Sequence, residues 1–278
     1  MRTSNYFSYA LSASAIVALL AGCSGASGNA GGGSGFAPLA QTSSTMSLTP
    51  GNNTSVGPQR ILSRSCPIAK GDVPLASAAS FAVLGASTVT STGLTVLNGD
   101  LGVSPGTSIT GFGPGVVKHG TIYAGGPLAA QAQADLAIGY NYTVALQHPR
   151  QIPADIGGTT ITPGLYNALS SLGITGTVTL DGKNNANSLF IFQIPSTLTT
   201  GVQSNVKLIH EADACNVYWQ VGSSATLNTA SQFRGTIMAA VSISVGSKVL
   251  VRGQLLAESG AVTLIDDNVN RFYIDTHN

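Results

Sequence analysis

The chain has 278 residues, a net charge of +1, 43% apolar residues and only 8% charged residues. No basic stripe is present to neutralise phosphates, which excludes nucleic acid as a partner. Short recurring runs of Val, Ile and Leu exclude a chain disordered throughout, and the length suits one large domain with extensions.

Residues 1–22 read as an export signal. Arg2 precedes an apolar stretch that is too short for a mature membrane span. Leu20-Ala21-Gly22-Cys23 resembles a bacterial lipobox, which implies that Cys23 is the lipid attachment site. An ordinary secretory peptide cut nearby is the alternative. Ser24 rather than Asp follows Cys23, pointing to a lipoprotein of the bacterial outer membrane or cell surface, with secretion as the alternative. Residues 23–71 are rich in Gly, Ser, Thr and Asn and read as a flexible tether. Export permits disulfides. With Cys23 used, Cys66 and Cys215 remain, either bridged or as two separate thiols.

Residues 72–278 read as the folded domain. A hydroxyl–aliphatic–hydroxyl triplet recurs as Thr88-Val89-Thr90, Ser108-Ile109-Thr110, Thr177-Val178-Thr179, Thr197-Leu198-Thr199 and Ser242-Ile243-Ser244. Thr226-Leu227-Asn228 and Ala261-Val262-Thr263 are close variants. Alternation of this kind places the aliphatic residue on one face of a strand and the hydroxyls on the other.

Between Pro127 and Gln147 the pattern changes. Leu128, Ala132, Leu136, Tyr140 and Val144 recur at helical spacing, Pro127 suits the first turn, and Pro149 ends the run. One amphipathic helix is expected here, packed along the strands through that stripe.

The C-terminal half reads as stacked coils. Apolar strands Phe190–Ile194, Val217–Val221, Thr236–Ala240 and Gln254–Ala257 each lead through a corner into a hydroxyl-rich strand. A variable third segment, such as Gln232–Gly235, closes the turn. One coil cannot bury its own core, but a stack can.

Chemistry-bearing motifs are few. Gly102-Val103-Ser104-Pro105-Gly106 matches the nucleophile-elbow pattern, but Pro105 has no N–H for an oxyanion hole and a strand pattern follows. It reads as a turn. His119, His148, His210 and His277 lack metal-ligand spacing, and Glu211 and Glu258 are the only glutamates. Asp266-Asp267 reads as a polar turn and Trp219 as a core aromatic rather than a sugar platform. No enzyme activity, metal or cofactor is expected.

What stands out is the hydroxyl array itself. Its outward companions are Ser, Ala and Gly, not the long charged side chains that usually keep a flat sheet soluble. Stacked strands repeat about every 4.8 Å, and alternate residues about every 6.7 Å. The result is a flat lattice of methyls and hydroxyls that can hold ordered water. Many weak contacts sum on a rigid array with little ordering cost.

In combination, these stretches resemble the microbial ice-binding-like β-solenoid family. The resemblance is carried by Phe81–Thr90, Asn98–Gly106, Ala130–Leu136, Thr162–Tyr166 (TPGLY), Leu189–Ile194 (LFIFQI), Cys215–Leu227 and Gly260–Leu264. It implies a mainly β fold: an irregular right-handed β-solenoid of triangular section, with one long α-helix packed alongside. Its coils would not stack in chain order, and the terminal segment would lie near the first coil. It also implies adsorption to ice through one flat sheet, inhibiting growth and recrystallisation. That face maps to Ser87, Thr88, Thr90, Thr226, Ser242, Ser244, Ala261 and Thr263. Lys248, expected near the face, argues against strong activity. The expected partners are ice and, through the lipid anchor alone, a membrane, with a monomeric domain. An adhesion or ligand-binding module of the cell surface on the same scaffold is the alternative.

Overall fold

The computed structural model describes residues 73–271, all within one compact unit of the chain, Pro58–Asn278. The export signal, Cys23, the tether and Cys66 lie outside the described residues.

The strands are short, and every inter-strand pairing is parallel. They fall into three rows. The first holds Arg150–Ile152, Gly164–Ala168, Phe190–Ile194, Val217–Val221, the C-terminal ends of Gln232–Ala239 and Leu250–Ala257, then Phe81–Gly85, Asp100–Val103 and Ile122–Ala124. The second is a separate sheet: Leu172–Ile174, Leu198–Thr200, Ala225–Leu227, Ile243–Ser247, Val262–Ile265, Thr88–Thr92 and Ser108–Thr110. The third runs from Thr160–Ile161 through Thr177–Asp181, Asn205–Ile209, the N-terminal ends of the two long strands, Asn268–Asn270 and Val96–Asn98 to Val116–Lys118. Each circuit of the chain visits the three rows in turn, which is a solenoid.

Spatial order departs from chain order, as the family resemblance implied. The last coil lies on the first: Leu255 pairs with Val83, Val262 with Val89 and Val269 with Leu97. Gln232–Ala239 and Leu250–Ala257 each run unbroken from the third row into the first. The segment Gln232–Gly235, expected as a separate closing segment, is therefore continuous with the apolar strand that follows it.

Period-two alternation produces the core. Leu172, Leu198, Ala225, Ile243, Val262 and Val89 point inward from the second row, each 1% exposed or less. An aromatic ladder fills the interior behind the first row. Phe192 stacks on Trp219 at 4.0 Å, with Tyr166 at 5.5 Å on the other side of Phe192 and Phe233 at 5.3 Å from Trp219. Trp219 is fully buried, which removes it as a surface platform for sugars.

The helix, Pro127–Ala145, lies over the first row and ends two residues short of the expected Gln147. Its buried stripe differs from the expected one. Ala129, Ala132, Asp135, Leu136, Gly139 and Thr143 face inward, while Leu128 is 59% and Val144 49% exposed. Tyr140 is only half-buried. Close approach explains the shift: a Cβ on Gly139 would stand 2.8 Å from Leu75 Cδ2. The helix therefore turns its smallest residues to the lead-in segment that precedes the first strand. Side-chain amides then fix it. Gln193 Nε2 donates to Thr143 O at 2.7 Å, and Gln220 Nε2 donates to Tyr140 Oη at 2.8 Å. Asp135 accepts from the Ser77 hydroxyl; it also accepts from Ser77 N and from Gln131 Nε2, these two at 2.9 Å. The Ser77 hydroxyl bond holds its carboxyl below the usual range, against an opposing desolvation cost.

Candidate functional site

The second row is a seven-stranded sheet whose strands contain no charged residue. Its aliphatic residues are committed to the core, so its outward positions define a surface. Thr110, Thr90, Thr263, Ser244, Thr226 and Thr199 occupy one outward column in unbroken register. Gly173 and Asp155 continue that column. Six successive hydroxyls, one per strand, span roughly 24 Å at the usual strand spacing.

A second column stands two residues earlier on each strand: Ser108, Thr88, Ala261, Ser242, Ser224, Thr197 and Ser171. Direct pairing of Thr88 with Ser108 fixes its start. The ladder bonds Ile243 N to Ala261 O, Ala225 N to Ser242 O, Leu198 N to Ser224 O and Leu172 N to Thr197 O carry it along the sheet. Only Ala261 interrupts its hydroxyls.

Neighbours restrain several of these hydroxyls. Thr197 Oγ1 donates to Ser171 Oγ at 2.9 Å, and Thr110 Oγ1 lies 3.4 Å from Thr90 Oγ1. Ser224 Oγ accepts from Ser242 N at 3.3 Å, and Ser242 Oγ accepts from Ala261 N at 3.2 Å. Such contacts reduce the rotamer freedom lost when the surface binds something.

The expected site residues distribute as follows. Thr90, Thr226, Ser244 and Thr263 stand in the first column, and Thr88, Ser242 and Ala261 in the second. Ser87 is exposed at the corner before Thr88. Lys248 sits in the turn after Ser247 with φ of 60°, its N–H directed at Ile265 O and Asp266 O. It therefore borders the sheet rather than occupying it. Sequence reasoning left out Thr110 and Thr199 from the first column and Ser108, Thr197, Ser224 and Ser171 from the second. The triplets at 108–110 and 197–199 carried the signal for four of them. Thr177–Thr179, a triplet of the same pattern, lies in the third row.

The remaining motifs have structural places. Ser104 is buried, its N–H donates to Gly85 O, and its bond to Pro105 is cis. Asp267 braces the turn at the sheet edge, accepting from Val249 N at 2.8 Å and Ile265 N at 2.7 Å. Burial raises its pKa to about 6 despite those bonds. Burial also raises that of Glu258 to about 7. Cys215 is disulfide-bonded. Among the described residues, no group of three or more His, Cys, Asp or Glu is placed to hold a metal.

Comparison with known proteins adds to this geometry. A family model described as ice-binding-like matches residues 83–270. An ice-binding protein of Nostoc sp. (strain HG1) is 46% identical over 198 residues, covering 70% of this chain and 73% of the relative. The crystal structure of an ice binding protein from an Antarctic biological consortium superposes with a TM-score of 0.70 at 42% identity, covering 72% of this chain and 91% of that one. The ice-binding protein of the Antarctic ascomycete Antarctomyces psychrotrophicus gives 0.69 at 37% identity, covering 72% and 98%.

Proposed function

This chain belongs to the ice-binding-like family, and we propose that it is an ice-binding protein that adsorbs to ice through the seven-stranded hydroxyl sheet. The carrying observation is the pair of outward columns, six successive hydroxyls in one and a single gap in the other, on strands without charge. Thr88, Thr90, Thr226, Ser242, Ser244, Ala261 and Thr263 are the ice-contact residues, joined by Thr110, Thr199, Ser108, Thr197, Ser224 and Ser171. Ser87 forms the margin.

Each hydroxyl–water contact is weak. A sheet whose inner residues are packed to exclusion of solvent presents all of them at once, with little conformational entropy left to lose. Uncharged methyls between the hydroxyls hold no tight hydration shell of their own. Adsorbed copies would slow the advance of an ice front and the recrystallisation of small grains. The domain acts as a monomer, exported and attached to the cell envelope through Cys23, with Cys66 bridged to Cys215.

The test is ice shaping by the full chain carrying Cys23→Ser, viewed in a nanolitre osmometer. Faceted, growth-arrested crystals are expected. Thr226→Tyr with Thr263→Tyr should restore rounded growth, because each phenol ring lifts the sheet off a flat ice plane. Lys207→Tyr, on the third row, should leave shaping intact. Undiminished shaping by the double variant would reassign the contact to another face.

A further inference from the structure

We infer that the groove between the C-terminal end of the helix and the first row is a second binding site, which takes a neutral sugar unit, free or within a glycan. It shares no residue with the hydroxyl columns and does not depend on the ice-binding reading of them. The groove has a volume of about 350 Å³. Its floor belongs to a ladder of amides. Gln151, Asn167, Gln193 and Gln220 stand in one outward column on four successive strands, a run of about 14 Å. Met238 and Leu256 then take the column over and join the apolar contact with the helix. The last three amides of the ladder line the groove. Asn141 and Val144 face it from the helix, and Pro195 closes it at the corner after Ile194. Among the described residues, no charged side chain lines it.

The two glutamines decide the chemistry. Gln193 is 7% exposed and Gln220 5%. Gln193 Nε2 donates to Thr143 O at 2.7 Å and to Leu146 O at 3.1 Å. Both partners are acceptors only, so the nitrogen must face the helix and the oxygen must point away from those carbonyls. Gln220 Nε2 donates to Tyr140 Oη at 2.8 Å, and Tyr140 Oη lies 3.4 Å from Val221 O. Among the described residues, neither glutamine oxygen accepts a hydrogen bond, and neither is sealed from solvent. Gln254, farther along the row, differs: its Oε1 accepts from the Thr236 hydroxyl at 3.2 Å. Gln193 and Gln220 therefore present two acceptors held in place by the helix they anchor, with little ordering left to lose on binding.

A ligand for this groove must donate to two fixed carbonyl oxygens. It must also accept from the Asn141 and Asn167 amides, which have no protein partner among the described residues. It must be uncharged, and it must offer an apolar edge to Val144 and Pro195. A pyranose meets all four conditions: its hydroxyls donate and accept, its C–H face is apolar, and it carries no charge. A carboxylate or phosphate would set acceptors against acceptors with no cation beside them.

The test is side-chain amide NMR of the ¹⁵N-labelled full chain carrying Cys23→Ser. The probes are the methyl pyranosides of glucose, mannose and galactose, then maltotriose and mannotriose, with methyl glucuronide as the anionic counterpart. The neutral probes should shift the NH₂ signals of Gln193, Gln220, Asn141 and Asn167, with a dissociation constant on the order of 1 mM. Asn141→Ala with Asn167→Ala should weaken binding at least about tenfold by removing two ligand hydrogen bonds. Tm and ice shaping should stay as in the parent, because neither amide holds the helix. Val144→Trp, which fills the groove from an exposed helix position, should cause the same loss independently. Asn187→Ala, exposed on the loop before Leu189, should bind like the parent. Tighter binding of a trisaccharide than of its methyl glycoside assigns the groove to a glycan chain, and equal binding assigns it to a single sugar; both support the site. No shift at the four amides with any neutral probe overturns it. So does binding that survives both the double variant and Val144→Trp, or a stronger response to methyl glucuronide than to methyl glucoside.

Discussion

Replacing Trp219 separates the stability of the solenoid from its function. The indole is fully buried, stacked on Phe192 at 4.0 Å with an interplanar angle of 8°, and its Nε1 donates to Arg234 O at 3.0 Å. Room for it comes from Gly235, where a Cβ would stand 2.8 Å from Nε1 and 2.6 Å from Val217 O. Trp219→Phe keeps a stacked ring but removes the donor and leaves a void. Losing that bond inside the core costs about 1–2 kcal/mol, and the void about 1 kcal/mol. For a domain of this size, 2–3 kcal/mol lowers Tm by about 4–12 °C. Differential scanning calorimetry measures the loss, and ice shaping just below 0 °C, far under the melting transition, should be unchanged. A Tm within about 1 °C of the parent would refute the packing argument. Lost shaping with an unchanged melt would mean that Trp219 acts on the ligand and not through the core.

Four further outcomes follow from the same geometry. Ala261→Thr fills the single gap in the second hydroxyl column, and thermal hysteresis measured in the osmometer should rise; a fall would show that the gap is required. Glu258, at about 7, and Asp267, at about 6, both titrate above their ordinary values because burial penalises the charged form. Their folded pKa values exceed the unfolded ones, so their stabilisation is complete below the unfolded values and is lost as pH rises through 6 and then 7. Tm should therefore fall between pH 5 and pH 8, and Glu258→Gln should flatten the upper part of that slope. Asp135 has the opposite sign: its lowered pKa contributes stability above the ordinary aspartate value that is lost on acidification. Asp135→Asn should cost about 1.5–3 kcal/mol by removing charge-assisted bonds to the lead-in, read in a urea titration, without altering ice shaping. Reduction of the disulfide should lower Tm. If Cys66 is the partner of Cys215, the long closed loop is worth about 5 kcal/mol in the chain-entropy description, and Cys66→Ser should reproduce the effect of reductant.

The strands were legible because period two survives in short segments. Thr88-Val89-Thr90 and Ser242-Ile243-Ser244 could hardly be read otherwise. Alternation does not say which row a strand joins. Thr177-Val178-Thr179 and Thr197-Leu198-Thr199 are the same pattern, yet only the second lies on the hydroxyl sheet, because row membership depends on corner lengths. Nor does a triplet reveal its neighbours: Thr90 stands beside Thr263, which no local rule would pair. The helix was legible in its extent and not in its orientation. Leu128 and Val144 fit an apolar stripe, but the surface beneath the helix demanded Gly139 and small alanines, a property of the partner and not of the helix.

A further consequence lies in how the three outward faces differ. Strands of all three rows alternate, so each row needs something to keep its outer side from pairing with or adhering to another molecule. The first row is covered: Gln193, Gln220 and Gln254 point outward and donate hydrogen bonds to the helix and the lead-in. The third row is polar and partly charged: Lys118, Asn98, Asn270, Arg252 and Arg234 run in register along it, and Lys207 is exposed. Among the described residues, the strands of the hydroxyl row have neither cover nor charge, and Asp155 stands only at the end of the column. A chain that sets charged residues along one face and a helix over another, and keeps the strands of the third flat and uncharged, forgoes the usual protection against association there. That is the sheet we propose for contact, and its uncharged strands suit a partner that is itself an uncharged lattice of water.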